Sequence, residues 1–398
     1  ANGNFLWAKS CGGKRGDVVN SIAIDKESNV YTTGTFKSFF NYAADFDPGP
    51  DSMKLASAGE QDIFILKLDA NGNFLWAKSC GAEYYENSMS IAVDDKGNVY
   101  TTGLFTGIVD FDPGINVMKL SSEANLVGQH DMFILKLDAN GNFIWAKSCG
   151  GKYSEAGLSI AIDEAGNVFT TGYFGHEVDF DPGTGVTNLS AIRETDIFIQ
   201  KLDAQGNFIW AKTFGGNDFD QSYSIAIDAE SNVYSIGDFV GTVDFDPGTG
   251  VANLSAVGEE DVFILKLDAN GNFLWAKSFG GIEMDQGYSI AIDAEGNVYT
   301  TGYFIDTVDF DPGTGVTNLS AVGGKDIFIL KLDPNGNFVW AKSFGGTEGI
   351  GIAIDGMGNV ITTGYFSDTV DFDPGTGVMN LTSAGETGIF ILKLDANG

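Results

Sequence analysis

Six copies of the pentapeptide Asp-Phe-Asp-Pro-Gly place paired carboxylates at Asp45 and Asp47, Asp110 and Asp112, Asp179 and Asp181, Asp244 and Asp246, Asp309 and Asp311, and Asp371 and Asp373. A second series of acids stands one per repeat at Asp17, Glu86, Glu155, Asp220, Asp285 and Glu348. A third stands at Asp62, Asp131, Asp196, Asp261 and Asp326, with Gly388 breaking it in the sixth repeat. Two bare carboxylates about 4 Å apart repel by roughly 1 kcal/mol in bulk water and about 4 at an effective dielectric near 20. Converging acids therefore call for a counter-ion or for hydrogen bonds that absorb the charge. Calcium suits such a ligand set, because it takes oxygens from carboxylates, carbonyls and water in loose geometry. The expectation is structural Ca2+ held by the Asp-Phe-Asp-Pro-Gly loops and the second acid series. The competing reading stays open: the first Asp caps a turn through backbone amides, Pro and Gly fix the bend, and Phe packs in the core.

Other chemistry is sparse. His130 and His176 fall in different repeats with no ligand spacing to a Cys or a second His. No nucleophile elbow, phosphate loop or zinc-protease helix is present. Acid pairs recur in every repeat, whereas an active site is ordinarily one asymmetric cluster. Cys11, Cys80 and Cys149 share one register position with Phe214, Phe279 and Phe344. A site that accepts Phe is a packing site, so buried free thiols are expected there. Arg15-Gly16-Asp17 matches a short adhesion tripeptide, but Asp17 is already explained as the acid of its repeat.

The elements that must position these residues follow from the six tryptophans, Trp7, Trp76, Trp145, Trp210, Trp275 and Trp340, separated by 69 or 65 residues. In the fifth repeat, Ser289-Ile290-Ala291-Ile292 and Val298-Tyr299-Thr300-Thr301 read as two strands. Ile327-Phe328-Ile329-Leu330 and Phe338-Val339-Trp340-Ala341-Lys342 read as a third and a fourth. Nothing reads as a helix. Asp-x-x-Gly-Asn joins the first strand to the second and the third to the fourth; its Asp bonds turn amides and its Gly supplies positive φ. Ser28 and Ser231 replace that Gly in two turns. Four-stranded sheets buried on both faces, as the third strand demands, stack radially in a β-propeller. The expected fold is all-β, a six-bladed propeller spanning residues 1–398 as one domain. Residues 5–10 are expected to complete the blade formed by 349–395 and so close the ring, against the rival reading of an open array.

The length changes all fall in the connections that carry the acids, between the second and third strands and between successive repeats. Loops on a rigid scaffold carry function, so this face is the expected working surface. Phe39, Phe40, Tyr42, Tyr84, Tyr85, Tyr153 and Phe219 break the repeat there. With 22 Lys and Arg against 54 Asp and Glu, the net charge of −32 argues against nucleic acid and anionic membrane surfaces. No apolar stretch reaches a membrane-spanning length, so no membrane insertion is expected.

The run Ser-Ile-Ala-Ile-Asp-x-x-Gly-Asn-Val-Tyr-Thr-Thr-Gly, followed by Asp-Ile-Phe-Ile-Leu-Lys-Leu-Asp-x-x-Gly-Asn-Phe-x-Trp, resembles the bacterial β-propeller repeat family abbreviated SBBP. Its Ala-Ile-Asp-x-x-Gly-Asn-Val-Tyr part is more distantly similar to NHL-type propellers. The resemblance covers essentially the whole chain and implies a secreted or cell-surface protein of Bacteroidota type, a monomeric ring or part of a larger multidomain chain. It is specific for fold and weak for activity. The expected role is a non-enzymatic extracellular binding, adhesion or presentation module for a protein or glycan ligand. A cation-dependent hydrolase or lactonase at the central mouth, and a purely structural spacer, are the alternatives.

Overall fold

The computed structural model describes residues 4–38, 43–123, 129–346 and 348–398. The chain is all-β, a six-bladed β-propeller of mainly four-stranded antiparallel sheets, with no helix among the described residues. Contacts divide it into two units: Ala1–Ser190 with Ile199–Ala211, and Ala191–Phe198 with Lys212–Gly398.

The fourth sheet shows how one repeat is made. Gln221–Ile227, Val233–Phe239, Asp261–Leu267 and Phe273–Phe279 pair in that order. The third strand is buried along its whole length, as its unbroken apolar run requires. Full burial of each of its large side chains stabilises by about 1.5–3 kcal/mol. Asp228 starts the first turn: its Oδ1 accepts the Glu230 and Asn232 amides at 3.1 and 2.8 Å, and its Oδ2 accepts the Tyr234 hydroxyl at 3.0 Å. Ser231 takes φ 61°, the left-handed conformation that Gly supplies in most of the other turns, and Ser28 does the same at 63°.

Each first strand carries a bulge just before its Ser-Ile-Ala-Ile segment, as between Ser222 and Ser224. It turns a serine hydroxyl toward the next sheet. Ser21 and Ser90 thereby accept the amides of Ile91 and Ile160 in the first unit, and Ser224 and Ser289 accept those of Ile290 and Ile352 in the second. The tryptophans tie the opposite side. The indole N–H of Trp76 donates to Ala139 O at 3.1 Å and that of Trp275 to Pro334 O at 3.2 Å, each reaching the third-to-fourth-strand turn of the following sheet.

The connection between second and third strands is itself a hairpin, which the sequence reading missed. Thr242–Asp244 pairs with Asn253–Ser255, and the equivalent segments of the fifth sheet extend its central strands into Val298–Asp309 and Asn318–Leu332. The Asp-Phe-Asp-Pro-Gly motif opens the tip of this hairpin.

Residues 4–11 lie in no strand, and the sixth sheet has three, Glu348–Ile354, Val360–Phe366 and Gly388–Leu394. Ile389 and Ile391 of the last strand are 81% and 78% exposed. Trp7 is held within the first unit, donating to Ala70 O at 3.0 Å as the later tryptophans do to their own following turns.

Candidate functional site

The Asp-Phe-Asp-Pro-Gly loops are anchored by main-chain amides in all six repeats. Oδ1 of Asp45, Asp110, Asp179, Asp244, Asp309 and Asp371 accepts the amide two residues on at 3.0–3.2 Å. The same oxygen accepts the amide eight residues on, across the hairpin tip, at 2.7–2.9 Å. Asp47, Asp112, Asp181, Asp246, Asp311 and Asp373 each accept the glycine amide of their own motif at 2.7–2.8 Å. Phe46, Phe111, Phe180, Phe245, Phe310 and Phe372 are buried between them. Phe245 meets Phe239 edge to face at 5.6 Å. The charge of these loops is absorbed by amides, and no group of three metal-ligating side chains forms among the described residues.

The second and third acid series behave differently, and they meet. Gln61 pairs with Tyr85 as a parallel bridge, and the Glu86 amide donates to Gln61 O at 3.0 Å, so Asp62 and Glu86 sit side by side where the first sheet adjoins the second. The amides of Glu155, Asp220 and Asp285 donate likewise to His130, Thr195 and Glu260, at 2.8–2.9 Å. This brings together Asp131 with Glu155, Asp196 with Asp220, and Asp261 with Asp285. Glu86, Glu155, Asp220 and Asp285 are 0% exposed, and Asp62, Asp131, Asp196 and Asp261 are 1–3% exposed. Gly81 follows Cys80 directly beneath Asp62, where a Cβ would collide with the carboxylate.

Three of the four pairs are only partly satisfied, while Asp196 and Asp220 accept amides on every carboxylate oxygen, from Ile192, Gly216 and Val240. Glu86 Oε2 accepts the Ala82 amide at 2.9 Å and Asp62 Oδ2 the Ala58 amide at 2.9 Å. Asp62 Oδ1, Glu86 Oε1, Glu155 Oε1 and Asp261 Oδ1 are buried without a hydrogen-bond partner. Burial, with the facing carboxylate adding to it in the second series, pushes Asp62 up to about 6, Glu86 to about 7 and Glu155 to about 8. Asp196 rises to about 6, and Asp220 and Asp285 to about 7, for the same reason. Two buried carboxyl groups with oxygens to spare share a proton or hold a cation. Their hard oxygens fit calcium, which completes its shell with carbonyls and water.

One expected member of the second series is misplaced. Glu348 pairs with Tyr365 as Gln286 pairs with Tyr303, so it stands one residue past the acid position. That position falls to Thr347, outside the described residues. A one-residue step in a strand sends the side chain to the opposite face, and Glu348 meets Lys325 at 2.8 Å instead. Asp17 keeps the acid position, its Oδ2 accepting the Gly13 amide at 2.5 Å.

Cys80 and Cys149 are buried free thiols, as expected, but Cys11 is exposed because residues 4–11 form no strand to cover it. Burial pushes the Cys149 thiol up to about 12. His176 stacks on Tyr153 with ring centroids 3.8 Å apart, and His130 Nε2 lies 3.3 Å from the Tyr173 hydroxyl. Tyr84, Tyr85, Tyr153 and Phe219 are exposed, while Phe39, Phe40 and Tyr42 lie outside the described residues.

This repeat architecture is that of the β-propellers. The SBBP family, Beta-propeller repeat, matches residues 7–35 and 274–303. An uncharacterized WD repeat-containing protein, L264, of Acanthamoeba polyphaga mimivirus is 25% identical over 99% of this chain and 34% of its own length. The regulatory protein FlaEY of Caulobacter vibrioides is 25% identical over 62% of this chain and 26% of its own length. The chain thus spans about a third or less of these relatives. Among solved structures, a Bacteroides caccae protein of unknown function aligns over 84% of this chain and 87% of its own, at 10% identity and TM-score 0.40. Sqt1 of Chaetomium thermophilum aligns over 93% and 84%, at 12% identity and TM-score 0.38.

Proposed function

We propose that this chain is a non-enzymatic binding module of an extracellular or cell-surface protein, for a protein or glycan ligand, with calcium as a structural ion. The observation that carries the reading is the recurrence of half-satisfied, buried carboxylate pairs at three sheet joints. Repetition suits a structural device better than an active site. Asp62 with Glu86, Asp131 with Glu155, and Asp261 with Asp285 would hold the ions. Calcium there neutralises two acids and links the start of one third strand to the loop entering the next sheet. The Asp-Phe-Asp-Pro-Gly hairpins, stiffened by their own amides, then present the variable loops and exposed aromatics. The SBBP repeats and the strongly acidic composition support placement outside the cell.

Binding measurements on glycans and matrix proteins, with and without calcium, test the reading. Capture of a ligand that weakens on chelation is expected. Absence of binding under both conditions would count against it.

A further inference from the structure

Two positions meet in the same way in several repeats: the residue just before the third-strand acid, and the second-strand residue just before its final Phe. In the first sheet Gln61 Nε2 donates to Thr35 Oγ1. In the fifth, Lys325 Nζ lies 3.6 Å from the centre of the Tyr303 ring and 2.8 Å from Glu348 Oε1. Both meetings are matched, donor to acceptor or cation to ring and carboxylate.

The fourth sheet puts two acids there, Glu260 and Asp238. Asp238 pairs with Gln221 as Tyr303 pairs with Gln286, so the equivalence holds in register. The other repeats have Thr35, Leu104, Tyr173, Tyr303 and Tyr365 at this place, none of them acidic. Asp238 is 3% exposed; it accepts the Tyr223 hydroxyl, and its Oδ1 has no partner. Glu260 Oε2 accepts Gln286 Nε2 at 2.8 Å, and Gln286 Oε1 accepts the Tyr288 hydroxyl at 2.7 Å.

Two tyrosines reach these acids: the Tyr223 hydroxyl donates to Asp238, and that of Tyr288 to Gln286, the partner of Glu260. Tyr223 and Tyr288 occupy the bulge of their first strands, where the other repeats carry Asn20, Met89, Leu158 and Ile350. Their ring centres are 5.3 Å apart, edge to face, and both are half-buried, as are Glu260 and Gln286. Burial first, and then the nearby Glu260, hold the Asp238 carboxyl above the usual range, and a cation beside the two acids would lower it. One repeat on, the chain supplies that cation itself through Lys325.

We propose that Asp238, Glu260, Tyr223 and Tyr288 form a docking site for the ammonium group of a lysine side chain on a partner peptide, in the place that Lys325 fills from within at the next repeat. The proposal rests on the binding-module reading and gives it a partner chemistry. Carboxylates and aromatic faces together are the recognised surroundings of an ammonium ion. The strongly negative field of the chain draws such a partner in. The site is also asymmetric, since the fourth repeat alone has an acid at this second-strand position, which a specific contact requires and a structural repeat does not.

The test is fluorescence anisotropy of the full chain with a fluorescein-labelled Gly-Ser-Gly-Lys-Gly-Ser-Gly peptide and its Nε-acetyllysine counterpart. Salt of about 0.15 M, with a Debye length near 8 Å, suppresses distant acids. The lysine peptide should bind, and acetylation should weaken it by about tenfold or more through loss of the charge. Glu260→Lys supplies an internal cation as Lys325 does, and should abolish binding while raising the melting temperature. Glu259→Lys changes the net charge equally at an exposed neighbour and should leave binding within about twofold. Asp238→Tyr, installing the residue of the third, fifth and sixth sheets, should lose binding too. Equal weakening by Glu260→Lys and Glu259→Lys, equal binding of both peptides, or no binding by the native chain would overturn the site. Those results leave the binding-module reading to its own ligand panel, which does not depend on lysine.

Discussion

Asp62 and Glu86 stand together at the joint of two sheets, each shut from solvent and each with one carboxylate oxygen that nothing in the chain satisfies. A lone arrangement of that kind would be a local defect. Its recurrence between further sheets makes it a device, because burying an uncompensated charge costs several kcal/mol unless a proton or a cation enters. The Asp-Phe-Asp-Pro-Gly acids solve the same problem with amides and need neither.

Calcium should therefore stabilise the native chain through the buried pairs. At calcium a hundredfold above its dissociation constant, one site adds about 2.7 kcal/mol. Glu86→Gln should lose that increment in calcium, yet melt no lower than the native chain in chelator, where the amide removes an unpaired acid. Thermal melts in both conditions check this.

The pH dependence has a definite sign. Folding raises the pKa values of Asp62, Glu86, Glu155, Asp220 and Asp285 to between about 6 and about 8. A group raised on folding gives stability that is complete below its unfolded value, near 4, and is lost as pH climbs through the folded value. In chelator the melting temperature should fall between about pH 4 and pH 8. Calcium, competing with the proton, should flatten that fall. A melting temperature that rises across the same range in chelator would contradict the assignment.

The hairpin anchor is open to a direct probe. Asp244 Oδ1 holds the amides of Asp246 and Ala252 at 3.1 and 2.7 Å. Asp244→Ala should cost about 1–3 kcal/mol, the penalty for amides left without their acceptor. Denaturant unfolding measures it, and calcium affinity should not change.

Ser231 holds a left-handed backbone at φ 61°. Ser231→Gly should stabilise by about 1 kcal/mol, the cost of that conformation for an L residue, less the chain entropy that glycine adds to the unfolded state. Chemical denaturation of the variant beside the native chain reads the difference.

The repeat, the Asp turns and the doubly buried third strand were all legible from local pattern, because each depends on residues close in sequence. Phe245 and its equivalents were legible as core for the same reason. The pairing of Asp62 with Glu86 was not, since it arises where one sheet meets the next and neither residue signals the other. Glu348 misled because a single-residue step exchanges the two faces of a strand.

Calcium counted per chain by equilibrium dialysis, on the native protein and on Glu86→Gln, tests the central claim most directly. Three ions are expected on the native chain, one for each of the pairs Asp62/Glu86, Asp131/Glu155 and Asp261/Asp285, and two on the variant. Six ions, matching the Asp-Phe-Asp-Pro-Gly loops, or a count that Glu86→Gln leaves unchanged, would contradict it.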